Sequence, residues 1–316
     1  MMPRKASFSW PTWAKTLVNV LHLRQFFGKA SVIALPYGWH IVFFLIPFCL
    51  VLKISFSESI IGAPPYSDIV SWVSNTSLNI RLNLENYAFL IEDTLYLDAY
   101  LESLRVSGLA TLVSLCLAYP IAYNIAKATP KMRVVFLCLI ILPFWTSFLI
   151  RVYAWMGILS PQGLINSFLK WTGLIDNPLP LLHNDFAVCL GIVYSYLPFM
   201  ILPLYVALEK IDPSLLEAAH DLGCKPLKSF FKVTLPLSLR GAVAGSMLVF
   251  IPGVGEYIIP ELLGGPDSIM IGKILWGEFF TNRDWPLACA LAMALLVLLV
   301  LPITIFQKLL SGQTEG

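Results

Sequence analysis

Along this chain apolar residues run in long blocks separated by charge. No Asp, Glu, Lys or Arg occurs from Ala30 to Leu52 (23 residues), Val106 to Ala126 (21), Phe186 to Leu208 (23) or Trp285 to Gln307 (23). A hydrocarbon layer of about 30 Å needs about 20 helical residues, so each block predicts one spanning helix. Two shorter blocks join them. Val134 to Ile150 holds 17 uncharged residues and continues past Arg151 through Val152, Tyr153, Ala154 and Trp155. Gly241 to Gly255 holds 15 and continues past Glu256 into Tyr257, Ile258 and Ile259. The pattern predicts an all-α integral membrane protein with six spans, at about 31–55, 104–127, 134–157, 186–209, 239–260 and 286–307.

Composition narrows the class. The 316 residues are 58% hydrophobic and 13% charged, with a mean hydropathy of +0.77. A soluble domain carries about 25% charged residues, so too little polar surface is present here to cover a water-soluble body. The same apolar content excludes disorder. A net charge of +2 offers no field for nucleic acid. Cys49, Cys116, Cys138, Cys189, Cys224 and Cys289 are scattered without metal spacing, and the four histidines are dispersed, so no metal site is expected.

Basic residues set the orientation. Arg4, Lys5, Lys15, Arg24 and Lys29 precede the first span; Lys127, Lys131 and Arg133 join spans two and three; Lys210, Lys225, Lys228, Lys232 and Arg240 join four and five. With Lys308 these make 14 of 21 on one side, so both termini are expected in the cytoplasm. The opposite 58–102 loop holds Arg81 against Glu58, Asp68, Glu85, Glu92, Asp93, Asp98 and Glu102. Those acids either attract a cation or a basic partner, or form a solvated face in a loop that lacks Lys and Arg anyway. The first span is too long for a cleaved signal peptide and is expected to be retained. The 1–30 segment before it reads as an interfacial helix over Lys15 to Phe27 or as a basic tail; a 311–316 tail follows the last span.

The 210–237 connection is specified by local rules. Asp212 can cap a helix with Pro213 at its first position, Gly223 supplies a left-handed end, and Pro226 restarts a second helix before Pro236. Leu215, Leu216, Ala218, Ala219 and Leu222 are more apolar surface than two turns can hide. The bland alternative is a Ser214–Glu217 capping box with no partner.

This loop resembles the EAA motif of ABC-importer permeases: Glu217, Ala218 and Ala219, then Gly223, Val233, Leu235 and Pro236, with Val233 where the family most often has Ile. The resemblance implies a type I ABC importer permease fold. It also implies that Glu217, Ala218, Ala219, Asp221, Leu222, Gly223 and Pro236 dock on a separate ATPase. No GxxxxGK[ST] occurs, so no cofactor is expected on this chain; ATP and Mg would sit on the partner ATPase subunits. Pro143 to Trp155, and Gly255 to Gly265 continuing through Asp267 and Ser268, resemble the polyamine importer permeases, most closely the putrescine-system permease that pairs with a second permease. What that implies is an inner-membrane subunit, not an enzyme, working with a homologous permease, two ATPase copies and a periplasmic polyamine-binding protein, in contact with membrane lipid. Spermidine or another small solute of the family is the alternative substrate.

A polyamine needs carboxylates and aromatic faces in place of water. Glu256 is the foremost candidate, because Pro252, Gly253 and Gly255 are expected to interrupt helix five beside it, and broken backbone in a membrane lines protein or a wet cavity. It could instead be structural, paired with Arg105 or Arg151, or lie near the outer interface. Glu261 reads as a residue of the periplasmic mouth or as a solvated helix end. Trp145, Tyr153, Tyr194 and Tyr196 could offer ring faces, although interface belts also collect Tyr and Trp. Arg151 would repel a cation and is expected to snorkel or pair with an acid. Gly241 and Gly245 are expected to bring helix five close to a neighbour. A rival function is ion- or proton-coupled secondary transport of a cationic solute through Glu256; it leaves the 210–237 elbow unexplained.

Overall fold

A computed structural model describes residues 30–74 and 77–311. The expected interfacial segment before residue 30, and the tail after Ser311, lie outside the described residues. The described residues divide into two compact units at residues 54 and 55. The first contains α1 (Ala30–His40), a π-helical turn (Ile41–Leu45) and most of α2 (Ile46–Ser55).

In the second unit, strands β1 (Val70–Ser74) and β2 (Ser77–Ile80) pair antiparallel, with Val70 opposite Ile80. This small hairpin in the 58–102 loop is an addition to the otherwise helical architecture. After it come α3 (Glu85–Glu92) and α4 (Thr94–Lys127). Helix α4 starts ten residues ahead of the expected 104 because Asp93 caps it, its carboxylate accepting the Leu95 N–H at 2.9 Å.

The third expected span is not one helix. It consists of α5 (Pro130–Ile141), a 3-10 turn (Leu142–Trp145) and α6 (Phe148–Leu159). Pro143 has no N–H to continue the ladder, and the Thr146 hydroxyl donates instead to the Pro143 carbonyl at 2.7 Å. A short α7 (Leu164–Trp171) precedes α8 (Asp185–Glu209), which Asn184 caps by accepting the Ala187 N–H. Then come α9 (Pro213–Asp221), α10 (Pro226–Ser229), a π turn (Phe230–Thr234) and α11 (Leu235–Val254). Helix α11 runs through Pro252 and Gly253 and ends before Gly255, so the interruption lies at residues 255–257 and not at the proline. The chain closes with α12 (Ile258–Leu263), α13 (Ile271–Trp276), a π turn (Gly277–Thr281) and α14 (Trp285–Ser311). Among the described residues, six helical stretches are long and apolar enough to cross a membrane.

Helices α4, α8 and α11 make the core. Small residues of α4 (Ser103, Ser107, Ala110, Ser114, Ala118 and Ala122) are all buried and form one stripe, which lets neighbouring backbones approach where lipid supplies no hydrophobic drive for association. Gly241 and Gly245 do the same for α11 on α8. A Cβ at Gly241 would stand 2.4 Å from the Ala207 Cβ, and one at Gly245 would stand 2.9 Å from the Met200 carbonyl oxygen. These glycines are packing residues.

Candidate functional site

The elbow between α8 and α11 folds by local chemistry. The Asp212 carboxylate accepts the Ser214 N–H at 2.9 Å, and that backbone donor holds the carboxyl below its ordinary value. Asp212 is therefore the cap, a role the Ser214–Glu217 box had offered to fill. Gly223 takes φ +78°, and its N–H bonds the His220 carbonyl at 2.8 Å while the Cys224 N–H bonds that of Ala219 at 3.0 Å. The helix thus ends on a left-handed residue.

Of the seven residues singled out there, Ala219 is buried, whereas Glu217, Ala218, Asp221, Leu222, Gly223 and Pro236 are exposed. Ala219 faces the body, and Glu217, although exposed, borders the cavity behind α9. Leu222 is 86% exposed and Leu227 74%. The elbow is anchored by Phe230, whose ring meets Tyr119 and Tyr123 of α4 edge-on at 5.1 and 6.3 Å. Behind α9 lies a cavity of about 580 Å³ between Leu216 and Glu217 on one side and Tyr123 and Lys127 on the other.

Glu256 sits in the break after α11 and is only 9% exposed. One carboxylate oxygen accepts the Ile258 N–H at 3.0 Å, so Glu256 satisfies an orphan donor at the start of α12. The other accepts a hydrogen bond from the Tyr196 hydroxyl of α8. Neither expected arginine is its partner. Arg105 bonds Asp185 at 2.6 Å and lies 3.0 Å from Glu102. Arg151 rests its guanidinium over the rings of Phe144 and Phe148, 5.3 and 5.7 Å from their centroids, so of its two expected roles, snorkelling or pairing with an acid, aromatic faces stand in for the acid.

Among the other path candidates, Tyr194 packs edge-on against Trp155 at 5.3 Å. Glu261 is exposed and lies 3.4 Å from the Lys273 ammonium. Trp145 is 84% exposed and Tyr153 is exposed as well. Among the described residues, no hydrogen bond or ring contact joins Trp145, Tyr153, Tyr194 or Glu261 to Glu256; Tyr196 alone of the named aromatics meets it. Sequence reading missed two features nearby. Tyr257 stacks on Trp276 at 4.5 Å, and Trp276 leans on Phe280 at 4.1 Å. Tyr257, next to Glu256, was a visible signal; Trp276 was not, since folding alone brings it there. Gly272 permits this approach, for its Cβ would lie 2.4 Å from the Glu256 carbonyl oxygen.

Comparison with known proteins places the chain among transport proteins. Residues 115–314 match the family described as binding-protein-dependent transport system inner membrane component. The spermidine/putrescine transport system permease protein PotB of Haemophilus influenzae is 39% identical over 292 residues, covering 92% of this chain and 97% of that protein. PotB of Escherichia coli is 37% identical over 281 residues, covering 88% and 97%. Among solved structures, a bacterial ABC transporter that imports the acidic polysaccharide alginate matches with a TM-score of 0.64 at 16% identity, over 92% of this chain and 99% of that one. At that identity the likeness speaks for the fold alone, that of an ABC-importer permease.

Proposed function

Because this chain belongs to the inner-membrane components of binding-protein-dependent transport systems, and is a permease subunit and not an enzyme, we propose that it serves an ATP-driven importer of polyamines. Putrescine is the preferred substrate in this reading, on the Gly255 to Gly265 run, with spermidine as the alternative. The names of the relatives support the class of short aliphatic amines. A second, homologous permease completes the pathway, two ATPase copies carry ATP and Mg, and a periplasmic binding protein delivers the amine to the acidic 58–102 side.

The observation that carries the proposal is the elbow. A capped, glycine-terminated helix exposes Leu222 and Ala218 on the side that basic residues assign to the cytoplasm. In the proposed cycle, closure of the ATPase dimer displaces α9, and the displacement passes along the backbone into α8 and α11. Each ligand shifts the outward-open and inward-open states by its differential affinity for them. Glu256, buried at a helix break, serves as a carboxylate of the pathway; a charge held at membrane depth costs about 2.5–3.5 kcal/mol on insertion scales, which argues for a use.

Co-purification with the ATPase, followed by amine-stimulated ATP hydrolysis in proteoliposomes, tests this reading. Stimulation by putrescine or spermidine is expected. Accumulation of amines by this chain alone, driven by an ion gradient with no ATPase present, would establish the secondary-transport alternative instead.

A further inference from the structure

The guanidinium of Arg133 stands where three helices end on the basic side of the protein. Arg133 lies in the first turn of α5. One terminal nitrogen donates to Oε1 of Glu209, the last residue of α8. The other donates to the carbonyl of Ala126, next to the end of α4, at 2.9 Å. That carbonyl is among the last four of its helix, which have no partner within the helix itself. The pair is partly open to water, with Arg133 and Glu209 side chains 25% and 39% exposed, so its weight lies in its two fixed directions more than in its charge. Its neighbour Lys127 does not compete for Glu209, since its ammonium lies over the Tyr123 ring, 4.3 Å from the centroid.

Glu209 is also the root of the elbow: three residues, Lys210 to Asp212, separate it from α9. Behind α9 the space of about 580 Å³ leaves little direct packing against the inner ends of α4 and α5. Dispersion contact is lost across such a gap, so a push on α9 reaches the body through covalent links and fixed polar contacts. The backbone leads from α9 back into α8 and forward through the π turn into α11. For α5, the directional contact with this root is Arg133.

We infer that Arg133 is a positioning residue for coupling: by gripping Glu209 and the Ala126 carbonyl together, it makes the inner ends of α4, α5 and α8 move as one body when α9 is displaced. The inference rests on the docking of the elbow proposed above. Arginine is required because its planar fork offers two donors in fixed relation, whereas a lysine ammonium is a point charge on a flexible stem.

The test uses the full complex in proteoliposomes, with assembly, ATP hydrolysis and putrescine uptake measured on the same samples. Arg133→Ala and Glu209→Ala should still assemble and hydrolyse ATP, with putrescine carried per ATP falling about tenfold, within the range of ordinary coupling free energies. Exchanging the charges (Arg133→Glu with Glu209→Arg) should recover most of the ratio, and Arg133→Lys should fall between. If the alanine variants do not assemble, Arg133→Lys and Glu209→Gln, which keep side-chain size, decide on the same ratio. A wild-type ratio in the single variants, or an assembled exchange variant no better than either single one, overturns the inference. A wild-type complex whose uptake ignores ATP overturns the docking reading and this inference with it; that outcome is distinct, because it is seen before any substitution is made.

Discussion

The Tyr196 hydroxyl donates a hydrogen bond to the Glu256 carboxylate, so one side chain of α8 holds the break that follows α11. The same carboxylate caps α12 through the Ile258 N–H. Glu256 therefore links three helices, and each of its oxygens has a donor. A cation entering this site would compete with Tyr196 for one oxygen while the cap keeps the other, which allows a weak, reversible contact. Tyr196→Phe should leave that oxygen unsatisfied and cost about 1–3 kcal/mol, seen as a lower melting temperature of the assembled complex. An unchanged melting curve would remove Tyr196 as the clasp.

Glu256→Gln separates charge from structure. The amide oxygen can still accept from Ile258 or Tyr196, so assembly should persist while putrescine uptake falls by about tenfold or more. Glu256→Ala should lose the uptake and the cap together, costing about 1 kcal/mol or more for the cap alone. Wild-type uptake by the Gln variant across a range of putrescine concentrations would show that the charge has no part in transport.

Gly223 is a purely conformational case. No atom lies within 4 Å of the position its Cβ would take, yet φ is +78°. A side chain would fit the space and strain the backbone by about 1–2 kcal/mol. Gly223→Val should lower putrescine carried per ATP in a complex that still inserts, and Gly223→Asn should do so less, because Asn tolerates this region. Equal behaviour of Val and Asn would place the effect elsewhere.

Gly241 is the opposite case, a clash without strain. Its Cβ would meet the Ala207 Cβ at 2.4 Å and the Pro203 carbonyl oxygen at 2.7 Å. Backbone cannot yield as a flexible side chain can, so Gly241→Val should destabilise by about 1–3 kcal/mol or more. Gly108→Ala, with nothing within 4 Å of the new atom and a better helix former in the middle of α4, is the control and should melt no lower than wild type.

The Asp212 cap should titrate. The Ser214 N–H lowers its folded pKa, so its contribution is present above the ordinary carboxylate value of about 3.9 and is lost as the pH falls through the lowered folded value. Hydrogen exchange at the first amides of α9 should quicken in that acid range and stay slow above it. Asp212→Asn should abolish the step and keep the cap, since Asn caps about as well as Asp. A step that survives in the Asn variant belongs to another group.

Six long apolar blocks, the side on which Lys and Arg collect, and the elbow from Asp212 to Pro236 were legible in the residues alone. Each rests on interactions within a few positions or on transfer to lipid, and both can be counted along a chain. The partner of Glu256 was not legible. Tyr196 is 60 residues away, and a helix apolar on every side carries no stripe to announce which face turns inward. Glu209 and Arg133, 76 residues apart, pose the same difficulty. Nor did residue type locate the breaks. Pro252 lies inside α11, where a membrane helix can absorb the missing N–H, while the chain turns at Gly255, where it packs beneath Gly272. The sequence by itself thus determined how many times the chain can cross and which loop protrudes, because solvation and local backbone chemistry decide those. Tertiary structure alone decided which polar groups meet inside, because in lipid a buried donor must find whichever acceptor the packing of small residues brings within reach.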